Sequence, residues 1–218
     1  MAQFPDFVRI VEVGARDGLQ NEAAVSTQDK VDLINALADA GLKDIEAGAF
    51  VSPKWVPQMA DSSDVISALN LPNVNLSALT PNLRGAEAAK QVDIQEFAIF
   101  TAASEAFCQK NINCSIDESI DRFKDVMAFA KANNIRVRGY VSCVMGCPYQ
   151  GDVDYNDVLK VSQRLLELGC YEISLGDTIG VGTAQKVDEL LDLLLQHIDK
   201  SKLAVHFHDT YGQALTNI

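Results

Sequence analysis

The chain has 218 residues, 48% hydrophobic and 22% charged, a balance that lets a soluble globular protein bury a substantial core, with one compact domain as the default. Its formal net charge of −12 leaves no basic excess to neutralise phosphates, which argues against a nucleic-acid-binding role. A polyanionic ligand must therefore be met locally, by a few Lys or Arg and by helix N-termini.

In chain order, residues 1–6 lead into a strand-like run without a charged n-region or a long apolar core. Neither a secretory signal nor an Arg-rich transit peptide is expected, and no apolar run is long enough for a membrane span, so the expected compartment is the cytoplasm. Strands are predicted at 8–13, 44–49, 74–79, 96–100, 136–142, 171–175 and 203–208, seven in all. Four helices with start signals lie between them. Residues 27–41 place Val31, Ile34, Leu37 and Ala38 on one face and stop at a glycine. Ser115 and Glu118 have capping-box spacing ahead of a helix that should bury Ile116, Ile120, Phe123, Met127 and Ala130. Residues 154–169 and 183–199 repeat the plan, the first with Val158, Leu165 and Leu168, the second with Val187, Leu190, Leu191, Leu194 and Ile198.

Such alternation fits a doubly wound sheet or a β/α barrel. The first loop, Gly14-Ala15-Arg16-Asp17-Gly18-Leu19-Gln20, lacks the G-x-G-x-x-G that a dinucleotide pyrophosphate needs. Charged residues stand instead at the C-terminal ends of several strands, where a barrel collects its catalytic groups, so a barrel is expected. The five cysteines are odd in number and not densely spaced, which fits reduced thiols in a cytosolic setting. Cys143 and Cys147 form a C-x3-C, but no second Cys or His pair stands at zinc-finger spacing.

His206 and His208 are two apart on a predicted strand and share a face, so they suit either a metal or a hydrogen-bonded core pair. Asp17 could add a carboxylate if the sheet closes; two imidazoles and one carboxylate leave positions open for water and substrate, a set that a ferrous oxygenase also uses. Arg16 offers a permanent cation for an oxyanion that develops in a transition state, or it is a surface residue paired with Asp17. Glu46 lies in an apolar strand and needs a partner such as Arg or a metal-bound water. Asp177 opens Asp177-Thr178-Ile179-Gly180 and could equally be a turn aspartate.

The run Val11-Glu12-Val13-Gly14-Ala15-Arg16-Asp17-Gly18-Leu19-Gln20-Asn21-Glu22 strongly resembles the first-strand motif of hydroxymethylglutaryl-CoA lyases. The stretches at 50–59, 169–180 and 206–213 match the same family, and 110–115 and 142–149 look like it too. R-D-G-x-Q and H-x-H-D alone would specify only the wider group of metallolyases and condensing enzymes; Ser52-Pro53-Lys54-Trp55-Val56-Pro57-Gln58 points to the lyase. The resemblance implies a (β/α)₈ TIM barrel, with Asp17, His206 and His208 as ligands of Mg²⁺ or Mn²⁺. It implies that Arg16 stabilises the enolate of departing acetyl-CoA and that Glu46, Asp177 and His206 assist catalysis. The implied reaction splits 3-hydroxy-3-methylglutaryl-CoA, a CoA thioester, into acetyl-CoA and acetoacetate, in leucine breakdown and ketone-body formation; the full-length form is expected to be a homodimer.

Family members continue past the H-x-H strand to an eighth strand, a metal-ligating Asn and a G-G-C-P-Y-A loop. Residues 1–218 are thus expected to form a single barrel domain with seven of eight strands, and this chain alone is not expected to be a competent lyase. Cys147, in Gly146-Cys147-Pro148-Tyr149, is like that loop in letters but follows the fifth strand and takes no catalytic role. The alternatives are an acetyl-CoA-dependent condensing synthase of the same superfamily and a catalytically inactive fragment.

Overall fold

The computed structural model describes residues 6–218. Seven strands lie in one sheet in chain order: β1 (Val11–Glu12), β2 (Asp44–Ala49), β3 (Asn75–Leu79), β4 (Glu96–Ala102), β5 (Arg136–Ser142), β6 (Glu172–Asp177) and β7 (Leu203–Phe207). Sequential order with helical connections is the wall of a β/α barrel, which bears out the predicted fold class. Seven helices intervene: α1 (Thr27–Asp39), α2 (Ser62–Ala68), α3 (Leu83–Gln91), α4 (Glu105–Ile112), α5 (Ile116–Ala132), α6 (Tyr155–Leu168) and α7 (Ala184–Leu194). No helix among the described residues is long and apolar enough to cross a membrane.

The strand expected at 8–13 contracts to two residues. Only Val11 and Glu12 pair with β2, opposite Asp44 and Ile45, before the backbone coils into the next turn. The strand expected to end at His208 ends at Phe207, so the second histidine stands just beyond the ladder. Helices α2, α3 and α4 were not anticipated. For α2 the reason is visible: its N-cap Asp61 makes no capping bond to its own helix. Its carboxylate is taken instead by Lys30 Nζ at 2.5 Å and Thr27 Oγ1 at 2.7 Å, both on α1. A capping residue diverted to a tertiary partner leaves no local signature.

The described residues divide into two compact units, 6–80 with 84–97, and 81–83 with 98–218. In the first, β1, β2 and β3 pair in parallel. The β2–β3 register slips between Glu46 and Gly48, a bulge of the kind that re-aims a side chain. A Cβ on Gly48 would come within 2.6 Å of Ser62 Oγ, so glycine is what lets α2 close against the bulge. Ser62 Oγ then accepts from Ala49 N at 3.1 Å and donates to Met59 O at 2.8 Å.

In the second unit β5, β6 and β7 pair in parallel. The anticipated capping box is present: Ser115 Oγ accepts from Glu118 N, and Glu118 Oε2 from Ser115 N. On α5 the buried stripe is Ile116, Ile120, Phe123, Val126 and Ala130, with Val126 taking the place expected of Met127. Helix α6 stops at Gly169, whose φ of 115° is the left-handed turn that glycine supplies. Its Leu165 is fully buried, and a Cβ on Gly139 of β5 would meet Leu165 and Ile173 at 3.1 Å. The layer is close-packed there. Leu165→Ala should cost about 2–5 kcal/mol, read as a lowered urea midpoint at unchanged m-value.

Candidate active site

The loop after β1 is a single π-helical turn, Gly14–Gly18, closed by Leu19 N bonding back to Gly14 O, and followed by a 3₁₀ turn, Leu19–Asn21. Such turns are rare and concentrate at functional sites. Glu12 starts it by accepting from Gly14 N at 2.5 Å. The turn carries Arg16 inward, where it is 7% exposed. Its Nε donates to Glu46 Oε1, and its Nη1 donates to Asp17 Oδ1 at 2.7 Å. The alternative of an ordinary surface arginine is thereby removed: Arg16 does pair with Asp17, but from a buried position.

Glu46 is fully buried on β2 beside the bulge. An isolated carboxylate there would be costly, and of the two partners open to it in the sequence the structure supplies the arginine. Asp17 is held from a second side by Gln20 Nε2 at 2.9 Å. Gln20 was not among the predicted site residues, although the R-D-G-x-Q spacing contained it. The first unit thus brings Arg16, Asp17 and Glu46 together, with the carboxylates fixing the guanidinium from two directions.

The second unit holds Asp177, His206 and His208, of which it brings the two histidines into contact. Asp177 is the last residue of β6 and lies opposite Phe207, between the two histidines. His206 Nε2 and His208 Nε2 are 2.9 Å apart. Two ring lone pairs cannot face each other at that separation, so a proton or a cation must lie between them. His208 Nδ1 is 2.9 Å from Thr178 O. A carbonyl only accepts, so Nδ1 carries the hydrogen and Nε2 presents its lone pair. An imidazole fixed through its other nitrogen by a backbone carbonyl is the usual arrangement behind a metal-bound histidine, so the donor set fits a divalent cation. Beside the Asp177 turn an open pocket of about 380 Å³ is lined by Gly180, Val181, Gly182, Thr183, Tyr211 and Gln213.

All five cysteines are free and buried. Neither Cys143 nor Cys147 belongs to a group of three potential metal-ligating side chains among the described residues. Burial pushes the Cys143 thiol up to about 12, aided by the neighbouring Cys147, and burial does the same to Cys170. Cys147 goes the other way. Burial raises it, but hydrogen bonds from Ser104, from the Gln150 and Tyr149 backbone and from Cys143 together hold it below the usual thiol value. Ser104 Oγ lies 3.0 Å from its sulfur and Tyr149 N 3.4 Å. Nothing in the C-x3-C spacing foretold this difference.

Comparison with known proteins places these residues in context. The HMGL-like family model matches residues 7–218. A Pseudomonas aeruginosa protein named 3-hydroxy-3-isohexenylglutaryl-CoA/hydroxy-methylglutaryl-CoA lyase is 55% identical over 98% of this chain and 72% of its own length. The mitochondrial hydroxymethylglutaryl-CoA lyase of Gallus gallus is 54% identical over 99% of this chain and 73% of its own. The crystal structure of hydroxymethylglutaryl-CoA lyase from Pseudomonas aeruginosa superposes with a TM-score of 0.95 at 54% identity, covering 98% of this chain and 72% of that one.

Two outcomes are expected from the geometry. Glu46→Ala strands a buried guanidinium with one carboxylate fewer and should destabilise the fold by about 3–5 kcal/mol in urea denaturation. A small thiol reagent such as methyl methanethiosulfonate should modify native Cys147 faster than Cys143 or Cys170. The pH midpoint of that reaction should lie below that of the denatured thiols, because a lowered value puts the thiolate at lower pH. Ser104→Ala should move the midpoint upward; a midpoint that stays in place refutes the assigned hydrogen-bond cause.

Proposed function

Because the chain belongs to the HMGL-like family, we propose that it cleaves 3-hydroxy-3-methylglutaryl-CoA to acetyl-CoA and acetoacetate, as a carbon–carbon lyase of leucine breakdown. The observation that carries the chemistry is the buried Arg16, immobilised between Glu46 and Asp17. When a base takes the proton of the tertiary hydroxyl, the hydroxyl oxygen becomes the ketone oxygen of acetoacetate. The broken bond between the carbinol carbon and the acetyl-CoA carbon leaves its electron pair as an enolate on the thioester, which then takes up a proton. A fixed cation aimed at that charge is worth more than a mobile one, because it need not reorganise as the charge appears.

Divalent-metal dependence comes with the family, and Mg²⁺ or Mn²⁺ is our choice of ion. We assign Asp17, His206 and His208 to hold it. The convergent Nε2 atoms and the anchored carboxylate support that assignment. When bound, such an ion supplies a Lewis acid for the substrate's hydroxyl and carbonyl oxygens. His206 Nε2 has one lone pair, so metal binding and proton transfer at that nitrogen exclude each other, and we assign it to the metal. Glu46 acts by fixing Arg16. The finer assignments are proposals of the same kind: residues 1–218 belong to one barrel-type catalytic domain, the working form is a homodimer, and five reduced cysteines favour the cytoplasm.

A longer 3-substituent on the glutaryl-CoA is the second reading, favoured by the isohexenylglutaryl-CoA named for one relative. Assays with both thioesters in the cleavage direction, and with acetyl-CoA plus a 2-oxo acid in the condensing direction, separate these readings. In a full-length enzyme, Arg16→Gln should lower kcat by about 10²–10³-fold with little change in KM. An unchanged kcat with a raised KM would assign Arg16 to ground-state binding instead. Chelation should abolish turnover, and Mn²⁺ should restore it.

A further inference from the structure

We infer that Asp177 is a positioning residue: its carboxylate clamps the turn between β6 and α7, and through that turn fixes the ring of His208. Family resemblance suggested a group that takes part in the chemistry, and the geometry points elsewhere. Asp177 is 1% exposed. Its Oδ1 accepts from Val181 N at 3.1 Å and its Oδ2 from Gly182 N at 2.7 Å, while its backbone carbonyl accepts from Gly180 N at 3.1 Å. All these partners lie in residues 180–182. A Cβ on Gly182 would stand 2.8 Å from Oδ2, so the close grip depends on glycine.

The gripped turn presses on the histidine segment. Gly180 has a φ of 64°, open to glycine but strained for other residues, and a Cβ there would come within 2.9 Å of His208 O and would also strike Thr210. Within the same turn, Thr178 O takes the hydrogen of His208 Nδ1 at 2.9 Å. The chain of causes runs from the carboxylate, through the backbone of 178–182, to the carbonyl that decides which His208 nitrogen is protonated. Without the clamp the turn loosens and His208 loses the acceptor that keeps Nε2 free of hydrogen. The consequence for a cation rests on the metal reading proposed above; the effect on the tautomer does not.

The test uses Asp177→Asn, which keeps size but turns an amide N–H₂ toward backbone N–H groups. Nitrogen-15 shifts of the imidazoles, taken without metal and above the histidine titration range, report the tautomer directly. The wild type should show His208 protonated at Nδ1; the variant should show a mixture with the Nε2-protonated form. Binding of Mn²⁺ alone should weaken by about 10–100-fold, the usual effect of losing an outer-shell partner. Gly182→Ala is the second variant, since it leaves the carboxyl group itself intact and its Cβ, 2.8 Å from Oδ2, forces the grip open without meeting the histidine segment. The clamp requires the same tautomer change and the same loss of Mn²⁺ affinity there. The inference is overturned if His208 stays protonated at Nδ1 in both variants, or if Asp177→Asn removes an ionisation from the kcat–pH profile while tautomer and Mn²⁺ affinity hold. If Mn²⁺ fails to bind the wild type, the metal reading falls, and the tautomer measurement still decides the clamp.

Discussion

A fully buried glutamate on a parallel strand cannot remain single, and the ion pair between Glu46 and Arg16 is the constraint around which the first unit is arranged. To reach the carboxylate, Arg16 must leave the solvent side of the loop after β1. The π-helical turn, with its extra residue per closed ring, turns it inward. To receive it, β2 bulges beside Glu46, and Gly48 lets Ser62 close behind the bulge. The same pair that relieves the burial of Glu46 holds the cation we propose for the enolate. On that proposal stability and chemistry depend on one contact, and the geometry at Arg16 is as stiff as the wall around it.

A second device recurs at the C-terminal ends of the strands, where acidic side chains hold the backbone of the loop that follows. Glu12 grips Gly14 N, and Asp177 grips Val181 N and Gly182 N. In each case a short loop that would otherwise be loosely held becomes a fixed platform, Arg16 and Asp17 on one and Thr178 on the other. Part of the acidic excess of this chain is thus spent inside, on hydrogen bonds to its own amides, where a carboxylate makes stronger bonds than a neutral acceptor. Away from these loops the polar interior continues in the Asp44–Asn75–Glu96 chain of the first unit and the Arg138–Glu172 pair of the second. These groups lie at the N-terminal ends of their strands, the end of a β/α barrel where polar residues serve stability.

The sequence by itself determined the alternation of strands and helices, the capping box at Ser115, the glycine stop at Gly169 and the short list of residues able to do chemistry. Each is a local property: periodicity, a cap at fixed spacing, a backbone conformation that favours glycine. The family was legible for the same reason, since its motifs are contiguous runs at the ends of strands. Only the tertiary structure decided that Arg16 is buried rather than exposed, that it is a partner of Glu46, and that Asp61 leaves its own helix for Lys30 and Thr27. It alone separated Cys147 from Cys143, and gave Asp177 its partners and His208 its carbonyl. The physical reason is one of range. A helix start or a strand period is written within a few residues, whereas the state of a buried charge, thiol or imidazole is set by groups brought close in space from elsewhere in the chain.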